Sequence, residues 1–342
     1  MKETSGKNAK RDIFWTASVA AAIIIFSAVA VTLGRYQITL VQLGALLLPG
    51  YFPNVDVSSA ISDVVFNIRL PRIALALIAG AGLAAAGGAF QALFSNPLAT
   101  PDTLGVATGA SFGAVLAILM GLPSIAVQLS ALASGLAAVT IVYFVSRVRG
   151  SSSIIMIILA GMVVSALFSA LVSLVKFSAD PQDVLPAITF WLMGSLSSAT
   201  KETLALGAPF IIAGLAVIYL FRWKLNAMTL SEEEATALGI PVKRIRLIVI
   251  LGSAMITASA VSMCGLIGWV GLLIPHISRM IFGNDNRYVI PASIGFGAIF
   301  MLVIDTVARC ALSSEIPASI LTAVIGAPFF IFLLRKSGGI KI

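Results

Sequence analysis

The stretch Arg69–Gly113, RLPRIALALIAGAGLAAAGGAFQALFSNPLATPDTLGVATGASFG, decides how the rest of the chain is read. Arg69 and Arg72 bracket Leu70 and Pro71, and an uncharged run follows. About 20 such residues, each rising about 1.5 Å, cross a hydrocarbon core of about 30 Å. Gly80, Gly82, Gly87 and Gly88 lie among alanines. That composition lets neighbouring backbones approach closely and predicts a helix in the middle of a bundle. The run ends in a polar break, Ser95–Asp102, where Pro97 and Pro101 interrupt the helix before a second small-residue run begins at Gly105. So short a break between two long apolar runs predicts a tight turn at one membrane face.

Composition selects the same class. Hydrophobic residues are 59% of the 342 and charged residues 11%, with a mean hydropathy of +1.06, against roughly 25% charged in a soluble domain. Such a chain cannot cover itself with polar surface, so a polytopic all-α membrane bundle is expected, as a single domain over 1–342. The net charge of +8 is spread over segment ends, which suits contact with anionic membrane lipid and not a nucleic-acid footprint. Cys264 and Cys310 lack ligand or disulfide spacing and read as small buried residues.

About ten spans follow: 13–33, 71–94, 103–120, one ending near Ser146, 154–175, 203–221, 245–263, 266–281, 289–307 and 317–334. Residues 35–67 read as an outer loop with interfacial pieces, and 176–198 as a short helix at the outer interface. Of the 22 lysines and arginines, outer segments receive only Arg35, Arg69, Arg72, Lys176, Lys201 and Arg309. The positive-inside bias therefore places both termini in the cytoplasm. In the longest inner loop, 222–246, Ser231 followed by Glu234 fits a capping box, three acidic residues fill the first turn, and Gly239 supplies a left-handed C-cap before Pro241. By its residues alone this loop is an amphipathic connector at the lipid surface. His276 is the only histidine and reads as a packed, hydrogen-bonded structural residue. Asp305 and Arg309 share a helix face and offset each other's charge. No G-x-x-x-x-G-K-[ST] phosphate loop occurs, so the chain is not expected to hydrolyse ATP.

The pieces RLPR, Q-x-L-F-x-NPLA-x-P and LG-x-x-x-GA are followed by GLIG at 265–268, GL-x-x-PH-x-x-R at 271–279, G-x-D-x-R at 283–287, D-x-x-x-R at 305–309 and IGAPFF at 325–330. In that order they resemble the permease subunit of bacterial importers for iron chelates, haem and vitamin B12, the type II ABC importer permease fold. The resemblance implies a second permease copy, two cytoplasmic ATPase subunits carrying Mg-ATP, an extracytoplasmic substrate-binding protein, and no cofactor or metal on this chain. It implies residence in the bacterial cytoplasmic (inner) membrane. The implied cargo is an iron-siderophore or related metal chelate, with haem or vitamin B12 as the alternative. An ion-coupled secondary transporter is the alternative from another class.

The resemblance also assigns residues. Within 222–246 it makes Glu234, Leu238 and Gly239 the element that couples to the ATPase. It makes Asn96 and Leu98, with Ser151, Ser152 and Ser153, a cytoplasmic gate. Arg69, Arg72 and Arg309, which violate the positive-inside bias, become a docking surface for acidic groups of the binding protein. Snorkelling to lipid phosphate, or pairing with Asp63 or Asp305, is the other reading of these arginines.

Overall fold

The computed structural model describes residues 2–52, 55, 57–147 and 154–336. Its helices, in chain order, are α1 (Lys2–Thr32), α2 (Leu40–Leu47), α3 (Ser59–Asp63), α4 (Leu70–Leu93), α5 (Val106–Leu119), α6 (Ser124–Val145), α7 (Ile154–Ser178) and α8 (Val184–Leu192), followed by α9 (Lys201–Leu225), α10 (Glu232–Ala237), α11 (Val242–Cys264), α12 (Val270–Phe282), α13 (Asn286–Cys310) and α14 (Ala318–Lys336). The class is the all-α membrane bundle that the composition requires.

The span count differs from the expected ten. Among the described residues seven helices are long and apolar enough to cross a membrane, and three apolar helices, α5, α12 and the apolar part of α14, are shorter. α5 and α12, at 14 and 13 residues, reach only about 20 Å at the helical rise. The reason lies at their starts. A 3₁₀ turn, Pro101–Leu104, and left-handed Gly105 precede α5, and Gly265–Trp269 stays unwound before α12, with Gly265 and Trp269 both at positive φ. Chain that the apolar pattern counted as helix is here spent on re-aiming it.

The region before Pro71 also differs. α3, a π-helical turn (Val64–Arg69) and α4 form one continuous helical segment, Ser59–Leu93. Pro71 lacks an N–H and crowds the carbonyl four residues back, and the wide π turn before it relieves that crowding. The outer segment is thus more helical than expected, with α2 closed at its N-terminus by a Thr39–Gln42 capping box.

α4 is the axis of the bundle, packed by α13, α9, α11 and α12. Its alanines and glycines are almost wholly buried, as the small-residue composition predicts. At the α4–α13 crossing a Cβ on Gly80 would lie 2.2 Å from the Gly297 carbonyl oxygen, and one on Gly297 would lie 2.3 Å from that of Gly80. Each glycine admits the other's backbone. Gly80→Ala is therefore expected to destabilise the protein by about 1–3 kcal/mol through overpacking, read as a lower unfolding midpoint in detergent. Gly268→Ala, where a Cβ meets nothing within 4 Å, should shift it by no more than about 0.5 kcal/mol.

Candidate functional site

The C-terminus of α1 ends against α4 and α13. A helix leaves its last four carbonyls without partners, and here two arginines supply them. Arg69, 5% exposed, donates from Nη1 to the carbonyls of Val31 and Thr32, the latter at 3.2 Å, and from Nη2 to that of Tyr36. Arg309 donates to the carbonyls of Leu33, at 2.9 Å, and Ala30. Between them the chain turns at Gly34, φ +144°, where a Cβ would sit 2.6 Å from Arg69 Nη2. Only glycine fits that turn around two guanidinium groups.

Arg72 is held differently. Its Nε donates to Asp305 Oδ1 at 2.8 Å, Nη1 donates to Glu315 Oε2 at 3.2 Å, and Nη2 bridges both carboxylates. Asp305 is fully buried and also has Arg309 Nε 3.7 Å from its Oδ2. Pairing with Asp305, one of the two readings of the arginines, is thus present, whereas Asp63 accepts from Asn67 at 3.2 Å. Burial pushes the Glu315 carboxyl up, but the Arg72 guanidinium, the Ser195 hydroxyl (3.2 Å) and Arg35 outweigh it, leaving the carboxyl below the usual range. Sequence reasoning missed Glu315 as the bidentate partner of Arg72, from 243 residues away. Its only signal was an acidic residue in an outer loop.

Beside Glu315 lies a cavity of about 370 Å³ lined by Trp191, Ser195, Ser198, Met263 and Cys264. The backbone closes it: Ser195 N–H donates to the Cys264 carbonyl and Ala318 N–H to the Gly194 carbonyl, both at 2.9 Å. Cys264 is buried there, as expected, but Cys310 is exposed, at the end of α13. Among the described residues no three His, Cys, Asp or Glu side chains converge as a metal site.

At the other end, α10 has both caps that its sequence dictates. Glu234 N–H donates to Ser231 Oγ at 3.2 Å, and Ser231 N–H donates to Glu234 Oε2 at 3.1 Å. That pair holds the Glu234 carboxyl below its ordinary value. At the C-terminus Gly239 has φ +76°, Gly239 N–H donates to the Thr236 carbonyl and Ile240 N–H to that of Ala235, the Schellman pattern. Ala235 is buried, Leu238 is 67% exposed, and Arg246 on α11 ties down Glu232 at 3.1 Å. A short rigid helix therefore presents Leu238 outward.

The root of that loop is braced by a residue not singled out from sequence. Asn226, just after α9, donates from Nδ2 to Asp285 Oδ1 at 2.7 Å and accepts from Asn286 N–H at 2.8 Å. Asp285 caps α13 and pairs with Arg287, which holds its carboxyl down at about 2. The G-x-D-x-R motif thus locks the end of α9 to the start of α13.

Asn96, Leu98 and His276 lie near this end, where Arg279 reaches from α12 to Gln91 and Asn286. Asn96 Oδ1 accepts from Leu98 N–H at 2.9 Å, fixing the Asn96–Pro97–Leu98 turn, and Leu98 is 45% exposed. Ser151, Ser152 and Ser153 lie outside the described residues. His276 packs edge-on to Phe330 at 6.3 Å, but its buried Nδ1 has no hydrogen-bond partner among the described residues, contrary to expectation.

Comparison with known proteins agrees with this architecture. The model of the FecCD transport family matches residues 14–336. A molybdate import system permease protein of Haemophilus influenzae is 39% identical over 320 residues, 92% of this chain and 94% of that one. A probable iron chelatin transport system permease protein of Helicobacter pylori is 34% identical over 327 residues, 95% of this chain and 99% of that one. A solved structure described as an inward-facing metal-chelate type ABC transporter superposes with a TM-score of 0.84 at 37% identity, over 93% of this chain and 98% of that one.

Proposed function

The chain belongs to the FecCD transport family, and from that membership we propose that it forms, with a second copy, the membrane path of an ATP-driven importer for an iron-siderophore or related metal chelate. It is the permease subunit, and ATP hydrolysis resides on separate ATPase subunits. The observation that carries the mechanism is α10: a helix capped at both ends, braced at its root and presenting an exposed leucine. A body of that kind passes on the movement of an ATPase without deforming. The basic end of the bundle that carries α10 then faces the cytoplasm and both termini with it, in the bacterial inner membrane, and the three shorter helices complete ten passes.

Two ligand-facing roles follow. Leu98, held out by Asn96, serves as an apolar plug at the cytoplasmic mouth, with Ser151–Ser153 as its small-residue counterpart. Arg69, Arg72 and Arg309 serve as the docking floor for acidic groups of the binding protein. Because their guanidiniums already hold the α1 carbonyls and Glu315, docking proceeds by exchange: a carboxylate of the partner displaces Glu315, which is 28% exposed on its side chain, from Arg72. Ion-coupled transport is disfavoured because Asp305, the carboxylate buried in the bundle among the described residues, is committed to Arg72 and Arg309.

The test is reconstitution of the permease with its ATPase and binding protein in proteoliposomes, using ferric chelate, haem, corrinoid and molybdate as cargo. ATP-dependent uptake of ferric chelate is expected. Uptake of molybdate alone would move the cargo to that of the Haemophilus relative, and uptake driven by an ion gradient without ATP would overturn the importer reading.

A further inference from the structure

One groove takes no part in the docking, gate or coupling roles above, although it borders the Asp285–Arg287 brace. It opens where α1, α9 and α13 meet at the α10 end, with a volume of about 370 Å³. Its floor is apolar: Trp15 stacks edge-on against Phe282 at 5.3 Å, and Phe282 leans on Phe296 at 6.3 Å. Its rim is aromatic and cationic. Arg222 lies over the Tyr219 ring, 3.9 Å from the centroid, and Arg287 lies over Trp223 at 4.7 Å. Two of the chain's four tryptophans, Trp15 and Trp223, and two of its five tyrosines, Tyr219 and Tyr288, line this groove. Such rings concentrate at the headgroup level of a bilayer, so the cluster sets the depth of the groove at the membrane interface.

Charge then selects the occupant. Arg287 is shared with Asp285. Arg222 enters none of the ion pairs among the described residues, and its hydrogen bond runs from Nη1 to the Tyr219 carbonyl of its own helix. A guanidinium held flat by a ring and lacking a carboxylate favours a phosphate, which accepts several of its N–H donors at once. The apolar floor continues along α1 from Val19 to Phe26, seven residues on and so on the same face, which is 42% exposed. An occupant must therefore bring an anion and hydrocarbon together.

We propose that this groove binds one anionic phospholipid of the cytoplasmic leaflet, with its phosphate on Arg222 and an acyl chain along α1. The assignment rests on the orientation given above and is independent of the cargo.

Tryptophan quenching by brominated lipid tests it. The assembled transporter carrying Trp191→Phe and Trp269→Phe, so that Trp15 and Trp223 report in this chain, is placed in nanodiscs with dibrominated phosphatidylglycerol or dibrominated phosphatidylcholine at equal mole fraction. Quenching through phosphatidylglycerol should show about a fivefold tighter apparent affinity, the factor for ~1 kcal/mol per basic side chain near an anionic surface. Arg222→Gln should remove that preference and Arg222→Lys should keep most of it, while millimolar inorganic phosphate should not compete. Equal quenching by the two lipids, or a preference unchanged in Arg222→Gln, would reduce the groove to ordinary annular contact. Competition by inorganic phosphate would make it a free-anion site; either result overturns the proposal.

Discussion

Arg72→Met is expected to destabilise the folded permease by about 3–5 kcal/mol, the range for removing one member of a buried ion pair. Asp305 is fully buried and would keep only Arg309, whose Nε is 3.7 Å away and makes no hydrogen bond to it. Glu315 would lose both of its guanidinium bonds. The penalty arises from the stranded carboxylates more than from the lost attraction, so removing the charge on Asp305 as well should recover much of it. A double-mutant cycle of Arg72→Met with Asp305→Asn, followed by denaturant unfolding in mixed micelles, should give a coupling energy above about 1.5 kcal/mol. Independent, additive effects would show that the cluster does not work as a unit. The cycle also separates architecture from docking: Glu315→Gln should cost far less stability, since that side chain is partly exposed, yet it should change the affinity for the binding protein if docking proceeds by exchange at Arg72.

At the opposite end the largest expected effect is on transport. Gly239→Val should lower ATP-dependent uptake at least tenfold, together with stimulation of the ATPase by loaded binding protein, while the protein inserts and folds normally. The cause is conformational, because a Cβ at Gly239 meets nothing within 4 Å whereas φ +76° disfavours a β-branched residue by about 1–2 kcal/mol. Losing that turn removes the Schellman bonds and lets Leu238 move. Gly239→Asn, which tolerates the left-handed region, should retain most activity. Leu238→Ala should be nearly silent in unfolding, given its exposure, and should still weaken coupling. Normal uptake by Gly239→Val in a correctly assembled transporter would remove α10 from the coupling role.

These two ends were not equally legible beforehand. The caps of α10 are local chemistry: Ser231 and Glu234 are three residues apart, and Gly239 ends the helix because glycine alone adopts φ > 0 without strain. The burial of α4 was legible for a related reason, since a run of alanine and glycine covers little lipid and gains only by close packing. By contrast, the positive-inside bias marked Arg69, Arg72 and Arg309 as anomalous but could not say what they touch.

What the sequence determined by itself was therefore the all-α membrane class, the caps of α10, and the family that the ordered motifs identify, all of which follow from hydropathy and contacts a few residues apart. Tertiary structure alone decided that Arg69 and Arg309 close the end of α1, and that Arg72 joins Asp305 and Glu315 from 233 and 243 residues away. It also decided that α5 and α12 are short. A buried guanidinium takes whichever carbonyls and carboxylates the packed helices bring within reach, and a helix ends where its neighbours demand that the chain turn. Neither condition exists until α1, α4 and α13 have come together.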